Sequence, residues 1–286
     1  YITFLLKEEG CYTLMYYLVS RIGSEVLIIS WWSAGVTSAV ATKIALDEFG
    51  ADNVVPIYFH IDSAHEDNKR FKAQCEDWYG KEIITHKSHN RKDQFDVILK
   101  DKYVNGPAGA RCTLVLKKHV RQKLEKELDY KGQVFGFEYS KKEINRAIRF
   151  KEQYPSAQPL FPLIEKKMTK QETLYFLEKQ GIKRPTMYTL GYGNNNCIGC
   201  VKGGKGYWNK IRIDFPQHFD RMAKAERVVG RSCIRNTFLD ELGETEGRQQ
   251  KMIMPDCGNF CDIEFSEIDH PRLEEVYKEP VQLRLI

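Results

Sequence analysis

The stretch Val26-Leu-Ile-Ile-Ser-Trp-Trp-Ser-Ala-Gly-Val-Thr-Ser-Ala-Val-Ala-Thr-Lys-Ile-Ala-Leu46 constrains this chain more than any other. Val26 to Ile29 is a short apolar run of the kind a buried strand needs. Ser33-Ala34-Gly35-Val36-Thr37-Ser38 is a turn of small, hydroxyl-bearing residues. From Ala39 onward, Val40, Ile44 and Ala45 recur at helical spacing. A strand that feeds a tight turn and then a helix brings the first helical N–H groups, which have no partner inside the helix, to the turn. The aligned peptide dipoles add partial positive charge there, so the turn suits an anion. Gly35 lets the backbone approach that anion closely, and the hydroxyls of Ser33, Thr37 and Ser38 can donate to it. The Gly-Lys-Ser/Thr ending of a Walker loop is absent.

The pattern continues in alternation. A helix is expected at 37–49, closed by Gly50. Val54-Val-Pro-Ile-Tyr-Phe59 reads as a second strand, which Pro56 should confine to an edge or end position. A helix at 66–79 and a strand at 82–85 follow. Then come a helix at 114–128 and a strand from Val134-Phe135. Thr169 and Glu172 form a capping box opening a helix at 170–179, closed by Gly181. Repeated strand–helix units predict an α/β fold with a doubly wound, mostly parallel, Rossmann-like sheet. Beyond about residue 186 the composition shifts to Gly, Asn, Cys and Lys. The expected division is an N-terminal extension (1–23), a nucleotide-binding domain (24–185) and a smaller, mainly helical, Cys-bearing and basic region (186–286).

Four segments, in order, resemble the superfamily of PP-loop ATP pyrophosphatases and phosphoadenosine phosphosulfate (PAPS) reductases, also described as adenine nucleotide alpha-hydrolase-like. Ser33, Gly35 and Ser38 match its Ser-Gly-Gly-x-Asp-Ser loop, with Ala34 for a glycine and Thr37 for the aspartate. Gly136-Phe-Glu-Tyr-Ser-Lys-Lys-Glu-Ile-Asn-Arg146 is similar to its Gly-x-Arg-x-x-Glu-Ser-x-x-Arg segment. Pro162-Leu-Ile-Glu-Lys-Lys-Met-Thr169 resembles the reductases' entry to a helix, and Tyr188 to Cys200 resembles their Tyr-x-x-Gly-Tyr-x-x-x-Gly-Cys-x-x-Cys block. The resemblance implies binding of an adenine nucleotide, ATP (with Mg2+) or a sulfonucleotide such as PAPS or adenylyl sulfate. Its site residues here are Ser33, Ala34, Gly35, Val36, Thr37, Ser38, Gly136, Glu143 and Arg146. Asp62, after the second strand, is a further candidate for contact with nucleotide or metal.

The eight cysteines, in a chain of 286 residues without a secretory pattern, point to reduced thiols, metal or catalysis rather than disulfides. Cys197-Ile-Gly-Cys200 can aim two thiolates at one metal, and Cys112 precedes a basic helix. Three readings stand side by side. One is an iron–sulfur cluster (4Fe-4S) on Cys112, Cys197 and Cys200, with Cys257, Cys261 or an external group as fourth ligand. Another is a structural zinc on Cys197, Cys200, Cys257 and Cys261. The third is redox-active or plain buried cysteine. Cys11 and Cys75 read as core, and Cys233 stays unassigned. Asp256-Cys257-Gly258 also resembles the Glu-Cys-Gly motif of the reductases, which implies Cys257 as a catalytic nucleophile toward sulfur, although the chain runs on through Cys261.

Arg221, Lys224, Arg227, Arg231 and Arg235 recur as one basic stripe, readable as a solvated face or as a clamp on phosphates or a nucleic-acid backbone. Tyr207 and Trp208 read equally as core or as stacking partners for a base. Hydrophobic content is 42%, enough for a packed core, and the net charge of +5 is compatible with anionic ligands. No apolar run long enough for a membrane span exists, and Glu8-Glu9 interrupts the N-terminal run, so a cytoplasmic protein is expected. Two functions are consistent with these features. One is a PAPS reductase-like or ATP pyrophosphatase-type enzyme of sulfur metabolism, served by a dithiol electron donor or a sulfur donor. The other is an accessory module that binds nucleotide and nucleic acid.

Overall fold

The computed structural model describes residues 27–88, 90–106 and 109–247. β1 spans Ile28–Trp32 and is buried throughout. Side chains along a strand alternate between faces, and here the two faces meet different cores. Ile28 and Trp32 join one apolar cluster, with Val40 and Ile44. Ile29 and Trp31 join another, with Ile144 and Phe150. A strand apolar on both faces must lie inside a sheet covered by helices on both sides.

The chain builds that sheet in α/β order. α1 (Val36–Phe49) follows β1, ends at Gly50 and leads to β2 (Val54–His60). α2 (Asn68–Tyr79) leads to β3 (Ile84–Lys87), and α3 (Gln94–Asp101) follows. A short hairpin, β4 (Asn105–Gly106) with β5 (Gly109–Ala110), opens a helical segment. That segment comprises α4 (Arg111–Thr113), a π-helical stretch at Leu114–Lys118 and α5 (His119–Glu127). β6 (Gly132–Val134), α6 (Lys141–Gln153) and β7 (Pro159–Leu160) complete the sheet. Its order is β3-β2-β1-β6-β7, and every pair in it is parallel. The strands therefore progress outward from β1 to β3, then resume on the other side of β1. The switch point of this α/β sheet lies between the carboxyl ends of β1 and β6, where ligands bind in such folds.

Beyond the sheet come α7 (Pro162–Glu165), α8 (Lys170–Lys179), α9 (Thr186–Thr189), α10 (Lys205–Asp214) and α11 (Pro216–Val229). The expected capping box of α8 is present, with Thr169 and Glu172 exchanging hydrogen bonds. α10 and α11 pack on a third cluster that includes Trp208, Met222 and, from α3, Phe95 and Ile98.

Two local expectations are corrected, and one open alternative is resolved in favour of the core. β2 is an interior strand, although it contains Pro56. β3 pairs only from Ile57 onward, so the missing proline N–H costs no bond on that side. The third strand sits two residues later than its apolar pair Ile83-Ile84 suggested, because it is half exposed and short. Tyr207 and Trp208 are 2% and 0% exposed, so neither offers a face to a base.

Candidate functional site

The turn after β1 is held by its own hydroxyls. The Ser38 hydroxyl accepts from the Ser33 N–H at 3.0 Å, lies 3.0 Å from the Ser33 hydroxyl, and donates to the Gly35 carbonyl at 2.9 Å. Ala34 sits at φ +59, the left-handed region where the resembled motif carries glycine. A residue with a Cβ is strained there by about 1 kcal/mol. Two contacts hold it: Ala34 is fully buried, and its carbonyl accepts from Asn195 Nδ2 at 2.7 Å.

The amides divide into two groups. The Ser33 N–H is taken by Ser38, and the Val36 N–H meets the Tyr188 hydroxyl at a long 3.4 Å. The N–H groups of Gly35, Thr37 and Ser38 have no acceptor among the described residues. They lie at the N-terminus of a 14-residue helix, where the dipole favours negative charge. The bend is therefore pinned by its side chains while part of its backbone stays available to an anion.

Gly136, just beyond β6, closes against this turn. A Cβ added there would stand 2.6 Å from the Ser38 N and Cα and 2.8 Å from the Thr37 carbonyl carbon. Only glycine permits that approach, which joins the ends of β1 and β6 at the switch point. A cavity of about 210 Å³ opens in front of it. Ser33, Gly35, Thr37, Ser38 and Gly136 line it, together with four cationic side chains, Lys117, Lys142, Arg146 and Lys170, and two carboxylates, Glu138 and Glu143. Trp31 and Phe59, whose rings stack at 5.3 Å, contribute an aromatic floor. Arg146 pairs with Glu143 at 3.4 Å and lies 4.5 Å from the Phe137 ring, and both residues of the pair are only 9% exposed.

Tyr188, Asn195 and Lys117 line the cavity although they were not among the expected nucleotide-binding residues. Tyr188 sits at the helix start, where its hydroxyl accepts from the Val36 N–H and burial pushes the phenol up to about 12, so it stays neutral. Asn195 ties the turn to α2 by donating to Asn68 Oδ1 at 2.7 Å, and its own Oδ1 is buried without a partner among the described residues. The run Asn194-Asn195-Asn196 directly before Cys197 was the available signal: adjacent amides seldom serve packing alone. Lys117 arrives through the π-helical stretch, a distortion that recurs at functional sites.

Some candidates sit elsewhere. Asp62 is exposed and does not line the cavity. Its carboxylate pairs with Lys87 at 2.9 Å and His60 at 3.3 Å, and the Lys87 hydrogen bond holds it below the usual carboxylate range. Ala34 and Val36 are buried and contribute backbone rather than side chains. Within the basic stripe, Arg221 pairs with Asp93 at 2.7 Å, and Arg227 pairs with Asp240 and Glu241 at 2.7 and 2.6 Å. Two of the five cations are thus already paired with carboxylates of the chain.

Cys112, Cys197 and Cys200 line one small cavity with Ile61, Gln94, Leu116 and Val201. Cys197 and Lys117 border both this cavity and the larger one, so the thiols stand beside the larger cavity. The Cys-x-x-Cys turn is tied on three sides. Ile198 N–H donates to the Ser63 carbonyl at 2.9 Å, Gln94 Nε2 to the Ile198 carbonyl at 2.8 Å, and Cys200 N–H to the Tyr207 hydroxyl at 3.0 Å. Among the described residues no three acidic, imidazole or thiol groups gather around a single metal ion. Cys257 and Cys261, and with them the zinc set and the Cys257 nucleophile, lie outside the described residues, as do Cys11 and segment 1–23. Cys75 is buried in the core as expected, its thiol pushed to about 12 by burial.

No protein-family model matches this chain, and no curated protein does. Among the described residues no helix is long and apolar enough to cross a membrane.

Proposed function

We propose that this chain is a PAPS reductase-like adenine-nucleotide enzyme of sulfur metabolism that binds ATP or a sulfonucleotide through the Ser33–Ser38 turn. The observation that carries this reading is the set of unclaimed amides at Gly35, Thr37 and Ser38. They lie at the switch point of a parallel sheet, beside a cavity that four cationic side chains also line. Preorganised N–H groups and hydroxyls of this kind stabilise a polyanion without reorganisation as charge develops.

With ATP, the cradle holds the β- and γ-phosphates while an acceptor attacks the α-phosphate and pyrophosphate leaves; a sulfur nucleophile from a donor then attacks the activated acceptor carbon and AMP leaves. With PAPS or adenylyl sulfate, a thiolate attacks the sulfur and the nucleoside phosphate leaves. A dithiol electron donor then releases sulfite. Arg146 and Lys142 line the same cavity as the turn and could meet the remaining charges. Thr37 supplies no carboxylate to hold Mg2+ at that position. The all-thiol set Cys112, Cys197 and Cys200 suits a thiophilic group. An iron–sulfur cluster there would supply redox chemistry beside the nucleotide.

Titration calorimetry with ATP, PAPS and adenylyl sulfate, joined to an ATP–pyrophosphate exchange assay, tests the proposal. Ser38→Ala removes three hydrogen bonds and strands the Ser33 N–H; if the loss of about 1–3 kcal/mol falls on the cradle, affinity drops by roughly 5- to 160-fold. A folded protein that binds none of the three nucleotides refutes the reading. Binding without exchange or sulfite release favours the accessory module, for which the replacement of aspartate by Thr37 is the supporting feature.

A further inference from the structure

Among the described residues, five other than glycine take positive φ: Ala34, Lys102, Gln158, Lys167 and Asn236. The last four are exposed and polar. Ala34 alone of the five is buried, so water does nothing to support its backbone there. Left to itself, a residue with a Cβ populates this conformation roughly 5- to 30-fold less than its right-handed alternative. We propose that Asn195 is the positioning residue that holds Ala34 left-handed and thereby sets the Gly35 N–H for the bound anion. This rests on the reading above, in which the Ser33–Ser38 turn holds the phosphate or sulfate end of an adenine nucleotide. It adds a residue that acts through the turn rather than on the ligand.

A trans peptide is planar, with its C=O and N–H on opposite sides. The Ala34 carbonyl and the Gly35 N–H share one such plane, and no described peptide bond is cis. Asn195 Nδ2 donates to that carbonyl at 2.7 Å. Fixing the carbonyl on the Asn195 side fixes the Gly35 N–H on the other, and that N–H has no acceptor among the described residues. One peptide further on, the Val36 N–H meets the Tyr188 hydroxyl at 3.4 Å. Residues 188–195 therefore hold both flanks of the Gly35 amide and leave the amide itself to a ligand.

The surrounding bonds fix which way the Asn195 amide faces. Asn68 Nδ2 donates to the Tyr58 hydroxyl at 3.3 Å, which leaves Asn68 Oδ1 to accept. Asn195 Nδ2 then has two acceptors, Asn68 Oδ1 and the Ala34 carbonyl, each at 2.7 Å. Two amide hydrogens serve two acceptors, and the flipped amide would set oxygen against oxygen at both. Asn195 Oδ1 is left buried with no partner among the described residues. A stranded acceptor is unfavourable, so the side chain is kept in place by what its nitrogen does. Its supports lie outside the turn. Asn68 is 7% exposed and opens α2. On either side of Asn195, the Tyr192 N–H donates to the Met187 carbonyl and the Ile198 N–H to the Ser63 carbonyl, both at 2.9 Å. The strained alanine is thus braced by a frame that does not depend on the turn's own hydroxyls.

The test is a double-mutant cycle on the full chain, read by titration calorimetry with ATP, PAPS and adenylyl sulfate and by thermal melts without nucleotide. Apparent affinity falls in proportion to the fraction of molecules whose turn is set for binding. Asn195→Ala is expected to weaken binding of the nucleotides that wild type takes by roughly 5- to 30-fold, the population cost of a left-handed alanine. Glycine adopts positive φ as readily as negative, so adding Ala34→Gly to Asn195→Ala should restore affinity to within about three-fold of wild type. Asn195→Leu, which keeps bulk but has no hydrogen to donate, is run through the same cycle with the same expectation, so that a poorly folding alanine variant does not decide the outcome. A direct contact between Asn195 and the nucleotide, or a role in stability alone, gives no rescue by Ala34→Gly; an equal loss in both backgrounds overturns the proposal. Wild-type affinity in the Asn195 variants overturns it too. Nucleotide binding without rescue removes this role and leaves the nucleotide reading standing, whereas a wild-type chain that binds none of the three nucleotides removes both.

Discussion

Gly136→Ala is the sharpest perturbation of this site. The added methyl would sit 2.6 Å from the Ser38 N and Cα, whereas ordinary contact begins at 3.4 Å, so the two backbones must part by about 0.8 Å, the difference between those distances. The obstructing atoms are main chain on a packed helix, so no side chain can swing aside. Overpacking of this kind costs about 1–3 kcal/mol. At about 2–4 °C per kcal/mol for a chain of this size, that lowers the melting temperature by roughly 2–12 °C. The larger effect falls on binding. A shift of about 1 Å in a positioning element costs roughly 100-fold, and here the element displaced carries the unclaimed amides of Thr37 and Ser38. Calorimetry should show ATP or PAPS affinity falling by about that factor, with a thermal melt run on the same sample. An alanine variant with unchanged affinity and unchanged melting would refute the close approach of β6 to the turn, and with it the idea that the switch point builds the cradle.

Tyr188→Phe removes the hydroxyl over the Val36 N–H; nucleotide affinity should fall by a few-fold, about 1 kcal/mol, with little change in melting temperature. Asp67 joins α2 to the start of α9 by bonding Arg70 at 2.6 Å and the Thr186 N–H at 2.8 Å. The Arg70 hydrogen bond, above other causes, lowers its carboxyl from 3.8 to about 2. At about 1.4 kcal/mol per pH unit this contributes about 2 kcal/mol. The folded pKa is the depressed one, so the stabilisation is present above about pH 4 and is lost as pH falls toward 2. Denaturant titrations should therefore show Asp67→Asn less stable than wild type at pH 7, with the gap closing at low pH. Thr169→Ala breaks the capping box of α8 and should cost about 1 kcal/mol by the same titration, without altering nucleotide affinity.

The α/β plan was legible because its signals are local. β1, α1 and the end of α1 at Gly50 follow from apolar spacing and a helix-closing glycine, and the capping box of α8 from two side chains three residues apart. Pro56 misled because its cost depends on which neighbour strand is present at that rung, and sequence says nothing of rungs. Tyr207 and Trp208 were ambiguous for a similar reason: an aromatic pair between basic residues packs inward or stacks outward according to what lies against it.

The sequence by itself determined that a hydroxyl-rich turn joins a buried strand to a helix, because strand period, turn composition and helix period are written in adjacent residues. Only the tertiary structure decided what stands around that turn. It brought Gly136 against Ser38, Asn195 onto the Ala34 carbonyl, and Cys112 and the Cys197–Cys200 turn to one cavity beside four cations. These residues are separated by tens to hundreds of positions. Parallel strands join distant segments through crossovers, so such contacts follow from strand order and helix packing rather than from any local run of the chain.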